Sequence, residues 1–464
     1  MIPSESDQPR TVFRETASLC PVCLRRIPAQ RVGREKGVYL EKTCPQHGAF
    51  ATPIWCGPPD MGGWQRPKIP TQPPHCSQEA VRGCPFDCGL CPDHRQHSCT
   101  IILEVTRRCN LACPVCYADA GGLSGEDPPL AAVARWYGAA AKAGPGSNIQ
   151  LSGGEPTLRD DLPRIVALGR AAGFDFIQLN TNGVRLAHEG EFVRELQSAG
   201  LASVFLQFDG TREEIYQKLR GRSLLAEKKA AILACGANRI GVVLVPTLVP
   251  GINDHDIGNI LEFAVAHSPV VRAVHFQPVS YFGRYSGAPG DRERLTLPQL
   301  MTAIEDQSRG AFQAAHFKPP GCENSLCSFS ASYLVMPDDS VRAVGPAGEA
   351  ACCAKPVPAA RGAARARAFV ARQWAAPAGK TGRMGAAGEG AGGTCGTALD
   401  LDFFLKRSRN HLLGVSAMAF QDVWNLDLER VRDCCIHVMA PDSRLVPFCL
   451  YNLTSTAGKG LYRC

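Results

Sequence analysis

Residues 107–119 read RRCNLACPVCYAD, directly after the strand-like run TIILEV at 100–105. Cys109, Cys113 and Cys116 sit in this stretch with the spacing CxxxCxxC. Iron–sulfur cubanes take four cysteines, one per iron. A compact loop offering three leaves one iron without a protein ligand, and an open coordination position is where a metal site does chemistry. A loop at the C-terminal end of a first strand is also where α/β barrels place their active sites. On spacing alone, the competing reading is a zinc knuckle in a cysteine-rich chain.

One βα unit later comes NIQLSGGEPTLRDDL, residues 148–162. It begins as a strand at 148–151, turns on Gly153 and Gly154 and enters a helix after Asp160. Paired glycines mark any tight turn; their position after the cysteine loop gives them weight. Together the two motifs resemble the radical S-adenosylmethionine (SAM) superfamily. The resemblance implies a [4Fe-4S] cluster on Cys109, Cys113 and Cys116 whose fourth iron chelates the amino and carboxylate groups of SAM. It also assigns Gly153, Gly154 and Glu155 to the methionine end of SAM. Before the last cysteine, where the superfamily often has an aromatic residue, this chain has Val115; Tyr117 follows the cysteine and joins the candidate cofactor contacts.

From residue 100 strand and helix patterns alternate, the signature of a parallel α/β sheet. TIILEV, SNIQL, DFIQLNT, SVFLQF, IGVVLVPTL and RAVHFQ read as strands, with amphipathic stretches such as LAAVARWYGAAAKA and LLAEKKAAILACGA between them. Polar residues gather at the strand ends: Asn180, Thr181 and Asn182, then Gln207 and Asp209, then Asn253, then Gln277. That rim is where ligand contacts collect. Asn180, Asn182, Gln207 and Asp209 are the cofactor candidates, although each residue type also serves turns and caps. The expected fold is α/β: a partial (βα)6 radical SAM barrel over 100–290. A cysteine-rich metal-binding domain at 1–99 precedes it, and a C-terminal auxiliary-cluster domain at 291–464 follows.

The flanks hold further cysteine groups. Cys20 and Cys23 form a CxxC knuckle and Cys44 lies in TCPQHG, half of a rubredoxin or zinc-ribbon site whose fourth ligand is Cys56, Cys76 or His47. Tetrahedral sulfur coordination accepts zinc or iron. In GCPFDCGLCPDHRQHSC at 83–99, Cys84, Cys88 and Cys91 repeat the CxxxCxxC spacing and Cys99 is near enough to complete a set of four. That set reads as a fully capped auxiliary [4Fe-4S] cluster or as a second zinc site. Cys322, Cys327, Cys434, Cys435 and Cys449 are too scattered to cap a cubane locally. Folded together, Cys322, Cys327, Cys435 and Cys449 make a second auxiliary cluster, with one of the adjacent pair left out.

The chain of 464 residues is 45% hydrophobic and carries a net charge of +7. No basic stripe interleaved with aromatics marks a nucleic-acid surface. There is neither a signal-peptide core nor an apolar run near the roughly 20 residues a spanning helix needs. A cytoplasmic protein with at most transient membrane contact is expected. There, 22 cysteines belong to metal sites rather than disulfides. Residues 343–397 break the pattern: Ala, Gly, Arg and Pro dominate with no stable period, yet Cys352, Cys353, Cys395 and a Trp are present. This irregular mix is what GC-rich DNA yields in the wrong frame, so a local double frameshift is one reading and a disordered linker the other.

The order of these motifs, with MAFQDVWNLDLERVRDCCIHVMAPDSRLVPFCLYNLT at 418–454, is similar to the family of the archaeal tetraether lipid synthase and its bacterial relatives. That resemblance implies three [4Fe-4S] clusters, one mononuclear iron and radical joining of lipid chain ends. Relatives are also linked with methylation of a pterin. The expected function is therefore radical C–C coupling of lipid alkyl chains, fed by a reductase or ferredoxin. The alternatives are radical SAM methylation or modification of a small pterin-like or peptide substrate, and a non-catalytic metal-binding protein. A long apolar tunnel from the barrel mouth near Cys116 and Gly154 would favour lipid. A short polar pocket would favour a pterin.

Overall fold

The computed structural model describes residues 11–285, 287–345, 355–377 and 407–463. All six expected barrel strands form: Thr100–Thr106, Asn148–Gly153, Ile177–Thr181, Ser203–Gln207, Gly241–Val245 and Val271–Pro278, each parallel to the next. Their side chains alternate between two buried environments, the pattern of a parallel sheet covered on both faces. Ile149, Leu151, Leu179, Val204, Leu206 and Leu244 join the large core under the helices. Phe205, Val243, Val245 and Ala273 form a separate cluster on the inner side. The helix Leu130–Ala143 buries Val133, Trp136, Tyr137 and Ala140, one stripe at helical spacing.

The barrel is wider than the six units expected. Leu412–Met418 pairs parallel with Val271–Pro278 at one edge, and Ile436–Met439 pairs parallel with Thr100–Thr106 at the other. Antiparallel strands then flank both additions, Ser328–Val335 on one side and Leu445–Pro447 on the other. The expected boundary near residue 290 thus does not interrupt the sheet. Of the stretch 343–397, expected to be irregular, residues 343–345 and 355–377 are described, and Ala359–Trp374 is a regular helix. Alanine is the strongest helix former, so a run without long-range periodicity still closes its backbone hydrogen bonds. Cys352, Cys353 and Cys395 lie outside the described residues.

Residues 11–55 form a separate four-stranded antiparallel meander, Thr11–Leu19, Arg26–Arg34, Gly37–Cys44 and Gly48–Trp55. It docks on the segment 421–432 through charge. Arg31 bonds Asp427 at 2.7 Å and Glu429 at 2.9 Å, and Thr16 donates to Asp427 at 2.7 Å. Lys42 is buried and donates to Ser18 at 2.9 Å and to the Val423 carbonyl at 2.7 Å.

Two tests follow from this interface. Asp427→Ala strips the buried Arg31 of its main partner and the helix at 428 of its N-cap, so urea unfolding should register a loss of about 3 kcal/mol or more. Burial lowers the Lys42 ammonium to about 7, with Asp422 opposing the shift, whereas an unfolded lysine keeps its proton to about pH 10. Between those values the unfolded chain binds more protons, so stability rises with pH across that window. Lys42→Met should flatten that rise in unfolding curves recorded at pH 7 and 9.5.

Candidate active site and metal centres

The loop carrying Cys109, Cys113 and Cys116 leaves the end of Thr100–Thr106 and is held by backbone contacts, by Arg284 and by side-chain bonds to the neighbouring turns. Cys109 N donates to Gly122 O at 2.8 Å. Cys116 and Arg284 exchange amide bonds of 2.9 Å each. The Arg284 guanidinium donates to the carbonyls of Cys113 at 2.9 Å and Ala120 at 2.8 Å. All three cysteines line a single cavity of about 420 Å³. Burial pushes the Cys109 thiol up to about 11, and Glu155, Cys113 and Cys116 add to the rise. Thiolates crowded in this way need a cation to share, which is the donor chemistry of a cluster site.

The GGE segment presses directly on that loop. A Cβ on Gly153 would meet the Thr106 carbonyl oxygen at 2.1 Å, and one on Gly154 would meet the Arg108 carbonyl at 2.1 Å. Gly153 also has φ +125°, a conformation side chains avoid. Gly154 N and Glu155 N donate to those same carbonyls at 2.8 Å each. Glu155 is 1% exposed. Its carboxylate accepts from Thr157 Oγ1 at 2.6 Å, Thr181 Oγ1 at 2.6 Å and Asn182 N at 2.7 Å. Glu155 therefore ties the GGE turn to the NTNG turn.

The other candidates fall into two groups. Tyr117, Asn180, Asn182 and Gln207 line the cavity with Gly153, Gly154 and Glu155. Tyr117 pairs its hydroxyl with Ser152 Oγ at 2.6 Å, and Asn180 Nδ2 donates to that oxygen at 3.2 Å, leaving Asn180 Oδ1 buried without a partner. Burial holds the Tyr117 phenol above its ordinary value. Asn182 Nδ2 donates to Asn110 Oδ1 at 2.7 Å, coupling the turn to the cysteine loop. Asp209 sits one layer back, 0% exposed, gripping Arg220 through two bonds of 2.7 Å. Arg220 is the residue that reaches the cavity. Asn253 is a turn residue, its Oδ1 taking Val249 N at 2.7 Å. Arg220, the fully buried Lys228 that donates to Gln207 at 3.0 Å, and His275 carried no motif that could have revealed them.

The flanking cysteines regroup. Cys20, Cys23, Cys44 and His47 bring their ligand atoms within 4.8 Å of one another, so His47, rather than Cys56 or Cys76, stands with the three cysteines. The two knuckles fall at the strand turns of the N-terminal meander. Burial opposes the Cys44 thiolate, but the Gln46 amide, the His47 ring and Cys20 outweigh it and leave its pKa at about 6. Three cysteines and one histidine are a structural zinc set.

Cys99 does not complete the set of Cys84, Cys88 and Cys91. It opens the first barrel strand, where its N–H bonds Cys435 O at 2.7 Å, and that pairing carries it to Cys322 and Cys435. Cys99 and Cys322 are joined in the structure as a disulfide with Cα atoms 7.8 Å apart. That separation exceeds the usual range for a disulfide, and Cys435 converges on both sulfurs. Of the expected quartet, Cys322 stands with Cys99 and Cys435, whereas Cys327, Cys435 and Cys449 line a second void of about 30 Å³ together with Cys434, where Arg430 Nε donates to Cys327 Sγ at 3.4 Å. Cys435 borders both groups.

With the geometry established, comparison with known proteins places it. The radical SAM superfamily pattern matches residues 103–264, and an "HMPTM N-terminal zinc ribbon domain" matches residues 12–56. The chain is 32% identical to the "7,8-dihydro-6-hydroxymethylpterin dimethyltransferase" of Methanocaldococcus jannaschii, with 95% of this chain and 93% of that one aligned. It is 30% identical to a "Probable GTP 3',8-cyclase" of Methanothermobacter marburgensis over 39% of this chain and 59% of that one. Streptococcus suis SuiB bound to S-adenosylmethionine overlays with a TM-score of 0.36 at 14% identity, covering 46% of this chain and 48% of that one.

Gly154→Ala should force the GGE turn off the cysteine loop. Anaerobically reconstituted protein should then lose roughly four irons per chain, one cubane's worth, while keeping the metal bound at Cys20, Cys23, Cys44 and His47. Iron and zinc analysis of the variant checks both numbers together.

Proposed function

The chain is a radical SAM enzyme and belongs to the family of the Methanocaldococcus jannaschii 7,8-dihydro-6-hydroxymethylpterin dimethyltransferase; on that premise we propose that it methylates a reduced pterin or a bicyclic heterocycle of similar hydrogen-bonding character. The finer kinship expected with tetraether lipid synthases, and lipid C–C coupling with it, gives way to this reading, because the relative that spans nearly the whole chain is named for a pterin.

The observation that carries the proposal is the cavity's polar wall. Asn148, Gln150, Gln178, Gln207, His275 and Gln277 line it at alternate positions of four strands. Gln150 donates to Gln178 at 3.0 Å and Gln178 to Ser203 at 3.1 Å, so the amides stand in a fixed ladder. A methylene chain offers these groups nothing, and burying a polar group without a partner costs about 1–3 kcal/mol. A pterin carries ring nitrogens, an amino group and a carbonyl that match them. Phe282, Phe329, Met418 and Phe420, which also line the cavity, suit its flat faces. They are also the feature a lipid reading would use.

When bound, a cluster on Cys109, Cys113 and Cys116 together with SAM supplies a 5′-deoxyadenosyl radical able to take hydrogen from an unactivated carbon. The chain's own groups do the positioning. Gly153 and Gly154 set the cysteine loop against the barrel, Glu155 locks the two turns, Arg220 on its Asp209 partner is the cavity-lining cation that would meet the carboxylate of SAM, and Lys228 braces Gln207 and the Asn182 carbonyl behind the lining. The enclosed barrel keeps water from a reactive centre. We assign a zinc to Cys20, Cys23, Cys44 and His47, and auxiliary iron–sulfur centres to the groups around Cys84, Cys99 and Cys327. A reductase or ferredoxin supplies electrons. Among the described residues, no helix is long and apolar enough to cross a membrane.

The test is anaerobic reconstitution with SAM, reductant and 7,8-dihydro-6-hydroxymethylpterin. Pterin-dependent 5′-deoxyadenosine and a product heavier by one or two methyl groups are expected by mass spectrometry. Conversion of host lipids with no response to pterin would sink the proposal and restore the lipid reading.

A further inference from the structure

The helix Ala359–Trp374 is absent from every role described so far. It is two-sided: Ala366, Val370 and Trp374 recur at helical spacing and line the cavity, while Arg361, Arg365 and Arg372 are exposed. Its contacts fix where it lies. Asn148 Nδ2 donates to Arg367 O at 3.4 Å, and Arg367 donates to Ser98 O at 2.9 Å. Arg272 Nε donates to Gln373 O at 3.0 Å, and Gln373 Nε2 returns bonds to Arg272 O at 3.1 Å and Leu412 O at 2.9 Å. A Cβ on Gly241 would meet Trp374 O at 2.3 Å. Asn148, Gly241 and Leu412 begin their strands, Arg272 is second in its own, and Ser98 precedes the first. The helix therefore crosses the N-terminal end of the barrel, opposite the Cys109–Cys116 loop.

In a typical α/β barrel, layers of inward side chains fill the interior. Here the cavity is lined from Ser152 and Gln277 near one end of the strands to Asn148 and Gly414 near the other. Trp374 rises into it from below. Its ring lies 5.6 Å from that of Phe205 and 5.9 Å from that of His275, and it packs with the inner cluster of Val243, Val245 and Ala273. His275 bonds Ser416 Oγ through Nδ1 at 2.8 Å. Burial lowers that ring to about 4, so it is neutral in the working range.

We propose that Trp374 is the specificity-determining residue of the cavity: as the floor of the barrel, it limits how far a substrate reaches below SAM. Packed on Phe205 and His275, the indole closes the cavity beneath the ring and excludes substituents longer than the cavity is deep. For its choice of ligand this rests on the pterin reading; the position of the floor does not.

The full chain, reconstituted anaerobically with SAM and reductant, is assayed with 7,8-dihydro-6-hydroxymethylpterin and with a 7,8-dihydropterin carrying an n-butyl chain in place of the hydroxymethyl group. Trp374→Ala should raise kcat/KM for the long substrate relative to the short one by about tenfold or more, since pockets discriminate by 10-fold or better over a methylene or so. Trp374→Leu should shift it in the same direction by less, and serves alone if the alanine variant does not fold. An unchanged ratio in a variant with wild-type iron content and circular dichroism overturns the proposal. Should the wild-type protein act on neither pterin, the pterin reading fails by itself. The floor is then tested with free indole, which should raise the melting temperature of Trp374→Ala and leave that of the wild type unchanged. Absence of that rescue overturns the floor as well.

Discussion

Two carbonyl oxygens, those of Thr106 and Arg108, face the backbone of Gly153 and Gly154 at distances no side chain could tolerate. This contact brings the end of one strand against the start of the loop that follows its neighbour. Backbone pairing with Arg284 and Gly122, the Arg284 guanidinium and this contact support the loop. Glu155 then spreads the restraint sideways. Its buried carboxylate is consumed by Thr157, Thr181 and Asn182, and Asn182 reaches back to Asn110 in the cysteine loop. Loop, GGE turn and NTNG turn form one closed circuit of hydrogen bonds. Its charge is buried but fully bonded, the condition under which such a group is tolerated.

Around that circuit the cavity lining mixes amides and an imidazole on alternate strand positions with aromatic and thioether side chains, Phe282, Phe329, Met418 and Phe420 among them. The Cys99, Cys322 and Cys435 group opens on the same cavity as Cys109, Cys113 and Cys116, so two thiolate groups flank one space.

Local pattern made the core legible. CxxxCxxC after TIILEV, GGE after NIQL and the six alternating strands are all short-range signals, and each stands where the pattern puts it. The non-local pairings left no such trace. Leu412–Met418 and Ile436–Met439 read as ordinary strands, and nothing in either run says that they take opposite edges of a barrel begun three hundred residues earlier. The cysteine groups erred for the same reason. Proximity in sequence assigned Cys99 to Cys91, whereas strand pairing took it to Cys435. His47 was one of three open choices that only the fold of the meander could decide. The helix at 359–374 was hidden by composition, because its frequent alanines and arginines mask the short apolar stripe of Ala366, Val370 and Trp374.

The late edge strands also impose an order on synthesis. Residues 100–278 can pair as they leave the ribosome, whereas the strand beside Thr100–Thr106 comes from residues 436–439. Long-range pairing of this kind is slow and waits for the whole chain. Until then the nascent barrel has both flanks exposed and no helix across its base, so the cysteine loop is reachable from directions that the finished protein closes.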